Sequence, residues 1–208
     1  ALEQIPYYNG ASLLSSLVTM SLIDHFAPKF QFKETHSIHI HASEASIMNA
    51  ILTHQATHDP LIRQMLALRQ LPNRLWQKIS LQPNDAPPFG IDSFTILGQD
   101  HHKELALGLI GQFWRPSFGL IRPGTAAAFH AFEQKGMAKL VLSYRLECLD
   151  PIRPEVRLTT QTRIACPDLG SQILCGLYWL MIRPGSGLIR RRLLRNIKRQ
   201  VEATEPKR

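Results

Sequence analysis

The chain has 208 residues, enough to bury a core without disulfide staples, and most simply read as one large domain. Hydrophobic residues are 44% and charged residues 19% of the chain, a balance that excludes a disordered polymer. The net charge is +8, of which +7 lies between Arg183 and Arg199, where no acidic residue occurs. A nucleic-acid binder spreads its basic residues over several elements, so nucleic acid is not an expected partner.

No strongly apolar stretch reaches the roughly 20 residues of a membrane span. Ala11–Ile23 and Ile173–Ile182 are both shorter. No Lys or Arg precedes the first of them, so no secretory signal is expected. Cys148, Cys166 and Cys175 have no CxxC spacing, which argues against a disulfide framework and a cysteine-rich zinc site. The expectation is a reduced, cytoplasmic protein.

In chain order, Leu13, Leu14, Leu17, Val18 and Leu22 recur at helical spacing, and Pro28 ends that helix. Residues 1–19 read as a helical N-terminal extension to a single domain over 20–204. Thr35–Ala42 alternates around Ile38 and Ile40 and predicts a strand. Ser43 suits an N-cap, with Ile47, Met48, Ile51 and Leu52 following as a helical stripe. A second short helix starts at Asp59-Pro60 and closes at Pro72; Gln82–Gly90 is turn-rich.

Ile91–Leu97 and Lys103–Phe113 read as strands joined by a turn at Asp100–His102, with Leu105, Leu107 and Leu109 on one face. Ala126–Phe132 fits either a strand or a helical turn. Ala138–Glu147 and Val156–Ile164 alternate cleanly and predict an antiparallel pair with one solvated face. After Pro167 the period lengthens towards 3.6. Asp168 can cap a long helix, which Arg183–Gly187 is expected to kink or break. Leu188, Ile189, Leu193, Ile197 and Val201 then resume the stripe.

The predicted class is α+β: an antiparallel sheet, two short helices after the first strand, and a long C-terminal helix. A sheet with one wet face must bury the other, and the last helix is apolar enough to cover it. A curved sheet wrapped around a helix leaves a cavity, the default binding site.

Several local motifs sharpen this. They are Leu22–Pro28 (LIDHFAP), Glu34–Ile38 (ETHSI), Leu66–Pro72 (LALRQLP), Gly108–Pro116 (GLIGQFWRP), Thr160–Ile164 (TQTRI) and Tyr178–Arg191 (YWLMIRPGSGLIRR). Together with the element order, they resemble a bacterial branch of the SRPBCC superfamily, the START-like helix-grip proteins that include polyketide cyclases. The resemblance spans about residues 20 to 202. It implies a helix-grip fold and an apolar small molecule or lipid held under the sheet. Some members are cyclases, dehydratases or oxygenase subunits, and no universal catalytic residue carries over.

The residues expected to line that cavity are Phe113, Trp114, Arg115, Phe129, Leu142, Tyr144, Thr160, Thr162, Leu177, Tyr178 and Met181. Trp114 would stack on a ligand, with Arg115 at an acidic headgroup. Tyr144, Thr160 and Thr162 are polar residues on the inward sides of their strands and need partners, which a ligand hydroxyl or carbonyl could supply. No GxSxG elbow, Walker motif or Ser/His/Asp order accompanies them. His39 and His41 share a strand face, with His36 on the other, but without HxxxH or HExxH spacing they read as exposed strand histidines. No metal and no cofactor is expected. Arg190–Arg199 is a basic amphipathic segment that reads as the packed last helix of the domain with a solvated basic back, as a dock for an anionic membrane surface that would make the protein peripheral to the membrane, or, least of the three, as a phosphate-backbone binder.

The expected function is non-catalytic binding of a hydrophobic molecule. The alternatives are a cyclase or dehydratase using the same cavity, with His130 and Tyr144 as candidate acid–base groups, and an interaction protein whose cavity is filled by its own side chains.

Overall fold

The computed structural model describes residues 20–53, 94–115, 118–150 and 154–204. Along these run α1 (Leu22–Phe26), β1 (Phe32–His41), α2 (Glu44–Thr53), β2 (Thr95–Asp100), β3 (Glu104–Gly111), α3 (Ala126–Ala131), β4 (Ala138–Asp150), β5 (Glu155–Ala165) and α4 (Leu169–Thr204). Of the helix expected from Leu13 to before Pro28, the part through Val18 lies outside the described residues, and α1 begins at Leu22 with extended Ser21 as its N-cap; the helix expected from Asp59 to Pro72 and the loop at Gln82–Gly90 also lie outside the described residues.

All strand pairs are antiparallel, in the order β1-β5-β4-β3-β2. The chain leaves one edge at β1, re-enters at the far edge with β2, and returns by a meander until β5 pairs with β1. The class is therefore α+β, an open five-stranded sheet with a long C-terminal helix.

Local chemistry sets the element ends. Ser43 accepts the Ser46 amide at 3.2 Å at the start of α2. Thr125 accepts the Ala128 amide at 3.1 Å and caps Ala126–Ala131, which is a helix and not a strand. Asp168 opens α4 by accepting from Ser171 N at 2.9 Å and from Gly136 N at 2.7 Å. Those amides hold its carboxyl below the usual carboxylate range.

Both faces of the central strands are covered, so β3 is buried along its whole length. On one face Leu105, Leu107, Leu142, Tyr144, Leu146, Val156 and Leu158 pack with Ile47 and Met48 of α2 and with Leu194, Ile197 and Val201 of α4. Towards the start of α4, Cys175 and Trp179 join Leu109, Phe113, Ala138 and Ile164. On the other face, Ile23 and Phe26 of α1 and Phe129 of α3 pack on Leu97, Ala106, Ile110 and Val141. The expectation of one wet face is corrected: α1 and α3 cover part of it. Arg163 ties α1 down, through an ion pair with Asp24 at 2.7 Å and a hydrogen bond to the Ala27 carbonyl at 3.0 Å.

Of the two outcomes expected at Arg183–Gly187, a break does not occur. α4 runs unbroken from Leu169 to Thr204 with Pro184 inside it. Pro184 removes the amide that would bond to the Leu180 carbonyl. Both residues lie on the exposed side of the helix, where water can solvate the freed carbonyl.

Gly108 is required by a close approach. A Cβ there would sit 2.7 Å from Phe129 Cε2 and 2.8 Å from Leu97 Cδ2. Gly108→Ala should cost about 1–3 kcal/mol in urea denaturation. Phe129→Leu in the same chain should recover part of that loss, giving a double variant better than the sum of the singles.

Glu104 is buried and accepts the amides of Leu22 (2.9 Å) and Ile23 (3.4 Å) at the start of α1. Desolvation nevertheless raises its pKa above the ordinary glutamate value. A raised carboxyl contributes stability that is complete below its unfolded pKa and is lost as pH rises through the folded value. The stability difference between wild type and Glu104→Gln should therefore shrink as pH rises through that window, then level off. Parallel urea melts across pH 3–8 check this.

Candidate functional site

The α4-facing side of the sheet is apolar except for two rungs. In register across β1, β5 and β4, Glu34 faces Thr162, which faces Leu142; His36 faces Thr160, which faces Tyr144. Glu34, Thr160, Thr162 and Tyr144 are all buried. The alternation of β1 puts Glu34 and His36 on the face that also carries Ile38 and Ile40.

α4 crosses β1 closely at this point. A Cβ at Gly187 would lie 3.1 Å from Glu34 Oε1 and 3.6 Å from His36 Cε1. Glycine therefore lets the helix backbone settle against the Glu34–His36 pair. About one turn further on, Arg190 reaches inward and donates from Nη1 to Thr160 Oγ1 at 3.0 Å. Burial lowers the Arg190 pKa, opposed by the nearby Tyr144 and Glu34. Burial raises the Tyr144 phenol, opposed by Arg190.

Glu34 Oε1 and His36 Nε2 lie 2.7 Å apart. In the neutral tautomer that donates Nε2–H to Glu34, Nδ1 carries the imidazole lone pair. The second carboxylate oxygen, Glu34 Oε2, is buried with no hydrogen-bond partner, and so is Thr162 Oγ1. These two atoms belong to residues directly opposite one another in the β1–β5 ladder.

The structure brings together only some of the expected lining residues. Leu142, Tyr144, Thr160 and Thr162 form the rungs beneath α4. Phe113 is buried near the start of α4, with Trp114 and Tyr178 half-buried against the same cluster. The other four are corrected. Phe129 is buried behind the sheet, under α1 and α3. Arg115 is exposed. Leu177 and Met181 are 66% and 71% exposed, because they lie on the opposite side of α4 from Cys175 and Trp179. His130 is also exposed and stacks on His25 behind the sheet, so it cannot join Tyr144 as an acid–base partner.

Glu34, His36 and Arg190 were not among the expected site residues. The signal was present in the period-two pattern of β1: the parity of Ile38 and Ile40 extends back to 36 and 34. On α4, Arg190 shares the row of Leu194, Ile197 and Val201, the residues buried there. The expected stripe through Ile189 and Leu193 is half-buried instead. His39 is on the other face of β1, where it pairs with Glu155 at 3.0 Å. Among the described residues, no group of three or more His, Cys, Asp or Glu is placed to hold a metal.

Comparison of the chain with protein-family models, curated proteins and solved structures finds no match.

The two threonines should respond differently to loss of the hydroxyl. Thr160→Val strips the Arg190 guanidinium of its acceptor and should cost about 1–3 kcal/mol. Thr162→Val replaces an unpartnered hydroxyl by an isosteric methyl and should be neutral or stabilising. Urea denaturation of the two ligand-free variants makes the comparison.

Proposed function

We propose that the protein binds a small apolar molecule with a polar head, held between the sheet and α4. The observation that carries this reading is the pair of unpartnered buried oxygens, Glu34 Oε2 and Thr162 Oγ1, on residues opposite one another in the ladder, within a face that is apolar beyond the two polar rungs. A buried polar atom without a partner costs about 1–3 kcal/mol. A ligand hydroxyl that donates to Glu34 and accepts from Thr162 would recover that cost. Leu105, Leu107, Leu142 and Ile38 supply apolar surface beside the rungs. The helix-grip fold and SRPBCC membership belong to the same proposal. They are supported by the pairing of β1 with β5, the returning meander and the helix across one face. On this reading binding is non-catalytic, and apolar burial supplies most of the affinity.

A second reading has its own observation, the carboxylate–imidazole pair of Glu34 and His36. Such a pair can take a proton at His36 Nδ1 and return it, the step a dehydratase or cyclase requires. Turnover that is abolished by His36→Gln, with ligand affinity retained, would support it.

The test is native mass spectrometry of the purified full chain, followed by denaturing extraction. A stoichiometric apolar compound with a hydroxyl or similar donor is the expected result. Thr162→Val should lose that compound while keeping its fold. An empty protein that no apolar alcohol stabilises against heat would overturn the proposal.

A further inference from the structure

α4 carries a second feature, on the side turned away from the sheet. Leu169, Ile173, Leu177, Met181 and Leu188 follow one another at three- to four-residue spacing around Pro184, between 47% and 75% exposed. Leu180 joins them at 73%. Single exposed leucines are ordinary, but a continuous row of large apolar side chains on one helix marks an interaction surface. The row spans about 28 Å at the helical rise of 1.5 Å per residue. Its helical spacing then continues through Arg191, Arg195 and Arg199, all exposed. No acidic residue occurs on α4 before Glu202. Of the basic segment expected to meet a membrane, Arg190 is excluded, because it points inward to Thr160.

We propose that this outer row docks α4 in the plane of an anionic lipid surface. The apolar residues of its first half would enter the headgroup–acyl boundary, and Arg191, Arg195 and Arg199 would meet lipid phosphates. Charge complementarity selects this occupant, because a bilayer with anionic headgroups offers apolar depth and negative charge side by side. A nucleic acid offers no partner for the leucines. α4 lies on the surface and does not span it: no described helix is long and apolar enough to cross a membrane.

The experiment is flotation of the full-length protein with phosphatidylcholine vesicles, with and without phosphatidylserine. Wild type should float with the phosphatidylserine vesicles and leave them at high salt. Ile173→Glu with Leu177→Glu should abolish flotation while circular dichroism stays unchanged. Leu177→Ser, which weakens flotation without adding charge, serves if the glutamates prevent folding. Arg191→Glu with Arg195→Glu should weaken binding to the anionic vesicles at least about tenfold. Failure of wild type to float with either vesicle overturns the proposal. So does a folded Ile173→Glu/Leu177→Glu variant that floats as well as wild type. So does a wild-type dimer in sedimentation that these glutamates convert to monomer, since a second copy would then cover the row.

Discussion

The approach of α4 to β1 at Gly187 is the constraint on which the rest of the site depends. With no side chain at 187, the helix backbone sits against Glu34 and His36. That position sets which residue comes inward next, and it is Arg190, whose guanidinium finds Thr160. A Cβ at 187 would press on the tip of Glu34 at 3.1 Å, so the carboxylate would have to give way. The same docking closes water away from the β1–β5 rungs, which is why the unpartnered oxygens there are costly. Position 187 thus acts through geometry on atoms three strands wide.

Charge within this interior is arranged to remain nearly balanced. Glu34 on β1 and Arg190 on α4 bring opposite charges into a low-dielectric space, beside the rung of His36, Thr160 and Tyr144. An isolated buried ion would be prohibitive, whereas compensated ions are tolerated when hydrogen bonds fix them. Thr160 fixes Arg190 and His36 fixes one oxygen of Glu34. The arrangement stops one hydrogen bond short of closure at Glu34 Oε2. A purely structural polar network is expected to close; one that stays open on the side of a neighbouring free hydroxyl is suited to a third party.

Much of the fold was legible in the sequence because its signals are local. Alternation located β4 and β5, Asp168 opened α4, and Ser43 opened α2. At Ala126–Phe132 the structure forms a short helix with Thr125 as its N-cap, a start signal that local periodicity alone does not weigh. Pro184 does not end the helix: the carbonyl it leaves unbonded, that of Leu180, belongs to an exposed residue and can be solvated. The site was less legible. Tyr144, Thr160 and Thr162 follow from strand parity, but Leu177 and Met181 were assigned inward because they are apolar. Their actual placement depends on which side of α4 meets the sheet, a tertiary fact. Glu34 and His36 were readable from the parity of Ile38 and Ile40, against the ordinary expectation that charged strand residues face water.

The broader preference for apolar residues inside and charged residues outside fails twice on α4, in opposite directions. α4 turns Arg190 inward and a row of leucine, isoleucine and methionine outward. Burial preference alone would have rotated the helix to exchange them. The rotation is prevented by residues at both ends of the same helix: Cys175 and Trp179 anchor the start in the core, and Leu194, Ile197 and Val201 anchor the end. Between those anchors the inward row must pass through Gly187 and Arg190, and the outward row through Met181 and Leu188. A natural sequence keeps local choices consistent with its fold unless something else requires the exception. Here the inward exception lies among buried unpartnered oxygens, and the outward one runs into exposed arginines. Each points to a partner outside the chain, the first small enough to lie under a helix and the second broad enough to lie along it.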